Sequence, residues 1–145
     1  MTTSTSSAAG QSSGVPNGAI TLLARFLFVL IFLLSGPMHF SSKDIGYAAS
    51  QGIPLASIVV PFSGLIAVAG GLLILLGYRA RIGGWLIVLF LAAITPTMHK
   101  FWAVTDPMMY QIQLVMFLKN VSMLGGALFI SQLGSGPWSL DARRK

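Results

Sequence analysis

Cysteine and glutamate are both absent from this chain of 145 residues, and its only acids are Asp44, Asp106 and Asp141. Without cysteine there can be no disulfide, thiolate metal site, CxxC redox pair or CxxCH haem attachment. Charge of either sign is scarce: 8% of residues are charged, where a soluble domain carries roughly a quarter. No Ser-His-Asp set, Walker A loop, GxGxxG before a helix or HExxH occurs, so a hydrolase or nucleotide enzyme fits poorly. The formal net charge of +6 does not point to nucleic acid, because the basic residues flank apolar runs, where they set membrane topology.

What the chain does have is long apolar stretches. Hydrophobic residues make up 54%, and mean hydropathy is +0.80. The runs Phe26–Ser42, Ile45–Tyr78, Ile82–His99 and Asn120–Leu140 carry no charge. A domain of this size cannot hide that much apolar surface from water, whereas a helix of about 20 apolar residues spans a bilayer. The expected fold is all-α: an integral membrane four-helix bundle, antiparallel and up-and-down.

Three segments follow. Residues 1–17, rich in Ser, Thr and Gly, have the composition of disorder and lack the basic start of a secretory signal, so the first span reads as an uncleaved anchor. Residues 18–133 form the membrane domain, with spans at about 18–35, 54–76, 82–97 and 108–132. Residues 134–145 read as a polar, basic cytoplasmic tail. Asn17 is placed to cap span 1 and Gly36-Pro37 to stop it. Ser42 to Ala49 suits a short interfacial helix ended by Gly52. Pro54 suits the first turn of span 2, and Asp106-Pro107 reads as N-cap and first turn of span 4. Arg25, Arg79, Arg81, Arg143, Arg144 and Lys145 fall on one side of the membrane, Lys43 and Lys100 on the other. The positive-inside rule then places both termini in the cytoplasm. Arg25, two turns into span 1, is expected to snorkel to the near interface. The pairs Gly70-Gly71, Gly83-Gly84 and Gly125-Gly126 suit close helix packing.

Candidate chemistry is sparse. Lys119 lies roughly 18 Å along span 4 from Pro107 at 1.5 Å per residue. It shares a helical face with Gln111, Val115, Ser122 and Gly126, and such a polar stripe is expected to face the bundle interior. There it would meet an anion, a carbonyl or a quinone. The competing reading is a lysine that snorkels outward or bonds carbonyls freed by the prolines. His39 and His99 should share the non-cytoplasmic side. Two imidazoles could bind haem iron or a metal, or shuttle protons. No carboxylate or thiolate is placed to complete a metal site, so hydrogen bonding to loop carbonyls or headgroups is the favoured reading and no metal is expected. Met98 to Trp102 and Met108 to Tyr110 could line a flat apolar cofactor site, although such residues in membrane helices more often pack or face lipid.

Several segments together resemble the DoxX family of membrane proteins. They are Ala24-Arg25 and Leu34-Ser35-Gly36 in span 1, Gly52 to Ala56, Gly70 to Arg81, His99-Lys100-Phe101-Trp102, Phe117 to Asn120 with Leu124 to Leu128, and Ser139-Leu140-Asp141. The resemblance covers about residues 20–144 and implies a small four-helix bundle in a bacterial-type inner (plasma) membrane. The family takes its name from a subunit linked to a quinone-dependent sulfur-oxidising complex. Two positions depart from it: Ala67 stands where many members carry Glu, and His39 where many carry Lys.

The leading expectation is an accessory or partner subunit of a membrane redox or stress-response assembly, not an enzyme by itself. One alternative is a quinone-reactive oxidoreductase subunit in which Lys119 and His99 bond the quinone carbonyls. The other is a small-solute transporter, which four spans would require to be a homo-oligomer. The expected surroundings are the lipid bilayer and protein subunits, with no nucleic acid.

Overall fold

Four helices long and apolar enough to cross a membrane dominate the structure, a computed structural model that describes residues 16–144. Lys145 and all of the Ser/Thr/Gly-rich start except Pro16 and Asn17 lie outside the described residues, and with them the expectation of disorder there. In chain order the helices are α1 (Gly18–Ser35), the short α2 (Ser42–Ser50), α3 (Ala56–Leu76), α4 (Ala80–Met98) and α5 (Pro107–Leu133).

Local chemistry sets most helix ends. The Asn17 side chain accepts hydrogen bonds from the N–H groups of Ala19 and Ile20 at 2.9 and 3.3 Å, satisfying two of the free donors at the start of α1. Gly36-Pro37 ends α1 at Ser35 as expected, and the chain continues as a 3-10 turn, Gly36–Phe40. Asp106 caps α5 by accepting from Met109 N–H at 2.8 Å. Two starts differ from expectation. α3 begins after Pro54, because Leu55 takes a left-handed conformation, φ +50°. α4 begins at Ala80, ahead of the expected Ile82, because Asp141 from the far end of the chain caps it.

The spans pack as antiparallel neighbours in the order α1, α3, α4, α5. Glycine allows the close approaches. A Cβ on Gly70 would sit 3.1 Å from the Gly83 carbonyl oxygen, and one on Gly83 would sit 2.8 Å from that of Gly70. Adjacent helix positions point about 100° apart, so each glycine pair divides its two faces. Gly70 meets α4 while Gly71 meets Leu33 of α1; Gly83 meets α3 while Gly84 meets the α5 backbone at Ala127 and Ser131. Gly126 meets Phe28, whereas Gly125 has open space.

The core gathers Val29, Phe32, Ala67, Ile74, Ile87, Phe90, Leu91 and Ala127. Ala67 is fully buried, so this position is part of the apolar core. Leu27, Phe62, Leu65, Leu89, Leu118 and Phe129 point outward and are exposed. An outward coat of this kind needs hydrocarbon around it.

Candidate functional site

Two polar rows run along α5 and only one turns inward. Asn120, Ala127 and Ser131 are buried and lie against α4, where Gly84 permits contact with the backbone of Ala127 and Ser131. Gln111, Val115, Lys119 and Ser122 are all exposed. Of the expected inward stripe, Gln111, Val115, Lys119 and Ser122 therefore lie on an exposed face, while its last member, Gly126, packs against Phe28 of α1. Lys119 sits near the middle of the 27-residue α5, and among the described residues its Nζ reaches only Met116 Sδ at 3.4 Å. Spacing alone allowed either row to face in. Small residues decided it, because backbones approach closely along Ala127 and Ser131 and not along Val115 and Lys119.

Asn120 is the polar residue that the sequence reading passed over. It is 3% exposed, and its Nδ2 has no hydrogen-bond partner among the described residues. Its place in one row with Ala127 and Ser131, at steps of seven and four, was the available signal.

The two histidines lie at the same end of the bundle, each tied to a side chain of a neighbouring helix. His39 Nδ1 is 2.9 Å from Ser63 Oγ, and its ring lies 5.7 Å from that of Phe90. His99 Nδ1 is 2.9 Å from Gln113 Oε1. At Nδ1 both partners are side chains and not the loop carbonyls expected. Gln113 and Lys119 are six positions apart, which puts them about 120° apart around the helix. Lys119 and the His99–Gln113 pair thus lie on different faces of α5. Among the described residues, no group of three His, Cys, Asp or Glu side chains is placed to hold a metal ion. Trp102, 57% exposed, packs edge-on against Phe101 and Phe117 at ring separations of 5.0 and 6.0 Å. The aromatic segment thus contacts itself. Lys100 Nζ donates to the Gln51 carbonyl at 3.2 Å.

At the opposite, arginine-rich end the expected polar tail is a folded strap. Leu140 and Asp141 N–H groups donate to the carbonyls of Leu76 and Gly77 at 3.2 and 2.8 Å. The Asp141 carboxylate accepts from Arg79 and Ala80 N–H at 2.9 and 3.2 Å. Those bonds, from Arg79 first, hold its carboxyl below the usual carboxylate range against the opposing effect of burial; Ser135 and the charge of Arg144 add to them. Ser135 and Ser139 are buried and bonded to each other at 3.0 Å. Arg25 reaches the near end of the bundle as expected, but the strap covers it there. It is 5% exposed, its Nη2 donates to the Trp138 carbonyl, and Nε and Nη1 are buried without partners among the described residues. A side chain at Gly77 would collide with the Arg25 guanidinium. Arg79, Arg81, Arg143 and Arg144 are exposed around this end, with the Arg144 guanidinium 4.8 Å from the Tyr78 ring centre.

Residues 16–145 match the model of the SURF4 family. The chain is 29% identical over 132 residues to "Inner membrane protein YphA" of Escherichia coli (strain K12), covering 90% of this chain and 94% of that protein. It is 29% identical over 126 residues to "Inner membrane protein YqjF" of the same organism, covering 83% and 88%. "Uncharacterized membrane protein Rv3486" of Mycobacterium tuberculosis (strain ATCC 25618 / H37Rv) is 28% identical over 135 residues, covering 82% and 77%. No solved structure gives a significant match.

Proposed function

The chain belongs to the SURF4 family of integral membrane proteins, and on that footing we propose that it is an accessory subunit that binds another membrane protein through the outer face of α5. The carrying observation is Lys119, exposed near the middle of a spanning helix with only a thioether beside it. A lysine at the bilayer centre costs about 2.5–3.5 kcal/mol on insertion scales. A partner that supplies an acceptor there offsets this cost. A second copy supplies a poor one: Asp44, Asp106 and Asp141 all lie outside the four spanning helices, and a two-fold contact along α5 would set two Lys119 side chains at one depth. The fitting partner is a different protein with a carboxylate or free carbonyls within the membrane. The DoxX-like motifs support a redox or stress-response assembly in a bacterial-type inner membrane as the setting, and the positive-inside rule applied to the arginine-rich end supports both termini being cytoplasmic.

Site-specific photo-crosslinking in native membranes tests this, with probes at Val115 and Ser122 and a control at the outward Leu34. The expected result is a heterologous adduct from α5 alone, lost in Lys119→Met and lost when the captured protein's intramembrane carboxylate is neutralised. Self-adducts only would favour the homo-oligomeric carrier, and lipid adducts only would end the subunit reading.

A further inference from the structure

At the arginine-rich end a cavity of about 550 Å³ opens between α1, the end of α3 and the strap. Leu22, Leu75 and Leu76 form its apolar side; Trp138, Ser139 and Arg143 line the other. Leu22 lies in the second turn of α1 and Leu76 ends α3, so the cavity sits where hydrocarbon gives way to headgroups. Leu22 and Leu76 are partly exposed, at 39% and 53%, so the apolar side is open to an acyl chain from the bilayer.

The charge at this cavity is one-sided. Arg143 lines it, and no acidic residue does. Asp141 instead lines the adjoining cavity of about 770 Å³, together with Arg79 and Arg81. Behind the wall lies Arg25, bonded to the carbonyl of Trp138, with Nε and Nη1 unpartnered. Among the described residues the one carboxylate of this region, that of Asp141, is held by the N–H groups of Arg79 and Ala80. Asp141 offsets part of the charge of Arg25, Arg79, Arg81, Arg143 and Arg144, and the described residues beside the apolar groove stay net positive. Basic pockets between membrane helices are the setting in which anionic headgroups are bound.

We propose that this cavity is a site for one anionic phospholipid, its phosphate on Arg143 within the field of Arg25 and one acyl chain along Leu22, Leu75 and Leu76. A zwitterionic lipid fits less well, because the lining offers no carboxylate to its cationic group. The inference does not depend on the α5 partner.

Native mass spectrometry of the full, delipidated chain in mild detergent tests the site, with phosphatidylglycerol and phosphatidylcholine supplied in equal amounts. One phosphatidylglycerol per chain should survive activation that strips phosphatidylcholine. Arg143→Gln should lower that bound fraction about fivefold, the effect of one basic residue near an anionic surface, and Leu22→Ser should lower it through the acyl groove. Arg81→Gln, in the adjoining cavity, should leave it unchanged. Equal retention of the two lipids, or equal losses in Arg143→Gln and Arg81→Gln, would overturn the proposal. So would inorganic phosphate raising the thermal midpoint as much as phosphatidylglycerol does, since the groove would then contribute nothing.

Discussion

Replacing Asp141 by alanine should loosen both the strap and the first turn of α4. The carboxylate accepts from Arg79 and Ala80 N–H at 2.9 and 3.2 Å, so it acts as an N-cap supplied from 61 residues away. Loss of such a cap costs about 0.5–2 kcal/mol. A loss of one to two kcal/mol corresponds to opening about 5 to 30 times more frequent. Hydrogen exchange at the Leu140 amide, bonded to the Leu76 carbonyl at 3.2 Å, reads this directly in detergent or nanodiscs. Asp141→Asn should fall between wild type and alanine, because an asparagine oxygen still caps while the charge is lost. The pH dependence has a defined sign. The folded carboxyl lies below its usual range, so its contribution is complete above the unfolded value of about 3.9 and is lost as pH falls through the folded value. Wild-type protection at Leu140 should therefore hold from neutral pH to about 4 and drop below it, whereas Asp141→Ala should lack that drop. Unchanged Leu140 exchange in Asp141→Ala would refute the idea that this carboxylate holds the strap.

Three further outcomes follow from the packing. Gly84→Ala should destabilise by about 1–3 kcal/mol, since its Cβ would lie 2.7 Å from Ser131 N and 2.9 Å from the Ala127 carbonyl oxygen; Gly125→Ala, with nothing within 4 Å, should stay within about 0.5 kcal/mol of wild type, and equal thermal midpoints for the two would contradict the assigned α4–α5 seam. Asn120→Leu removes a buried donor that has no partner, so the thermal midpoint should hold or rise; a fall of several degrees would show that Nδ2 is satisfied in the membrane. Lys119→Met should leave unfolding of the isolated chain within about 0.5 kcal/mol, because Nζ touches only Met116 Sδ, and a larger loss would place Lys119 inside the bundle.

The sequence alone determined that this chain crosses a membrane four times, close to where each helix begins, and that its arginines gather at one end. Those features depend on the length of apolar runs, on capping residues such as Asn17 and Asp106, and on charge at run ends, all of which act locally. Tertiary structure decided which face of each helix points inward. In a bilayer both faces of a span are apolar, so polarity along α5 does not distinguish the row of Lys119 from the row of Asn120; close backbone approach at Gly84, Ala127 and Ser131 does. It also decided the fate of Arg25 and Asp141. One reads as a snorkelling cation and the other as part of a tail, until the strap folds back across Gly77, buries the guanidinium and turns the carboxylate into the cap of α4. No local pattern encodes that contact, because it joins residues from the two ends of the chain and the turn between α3 and α4.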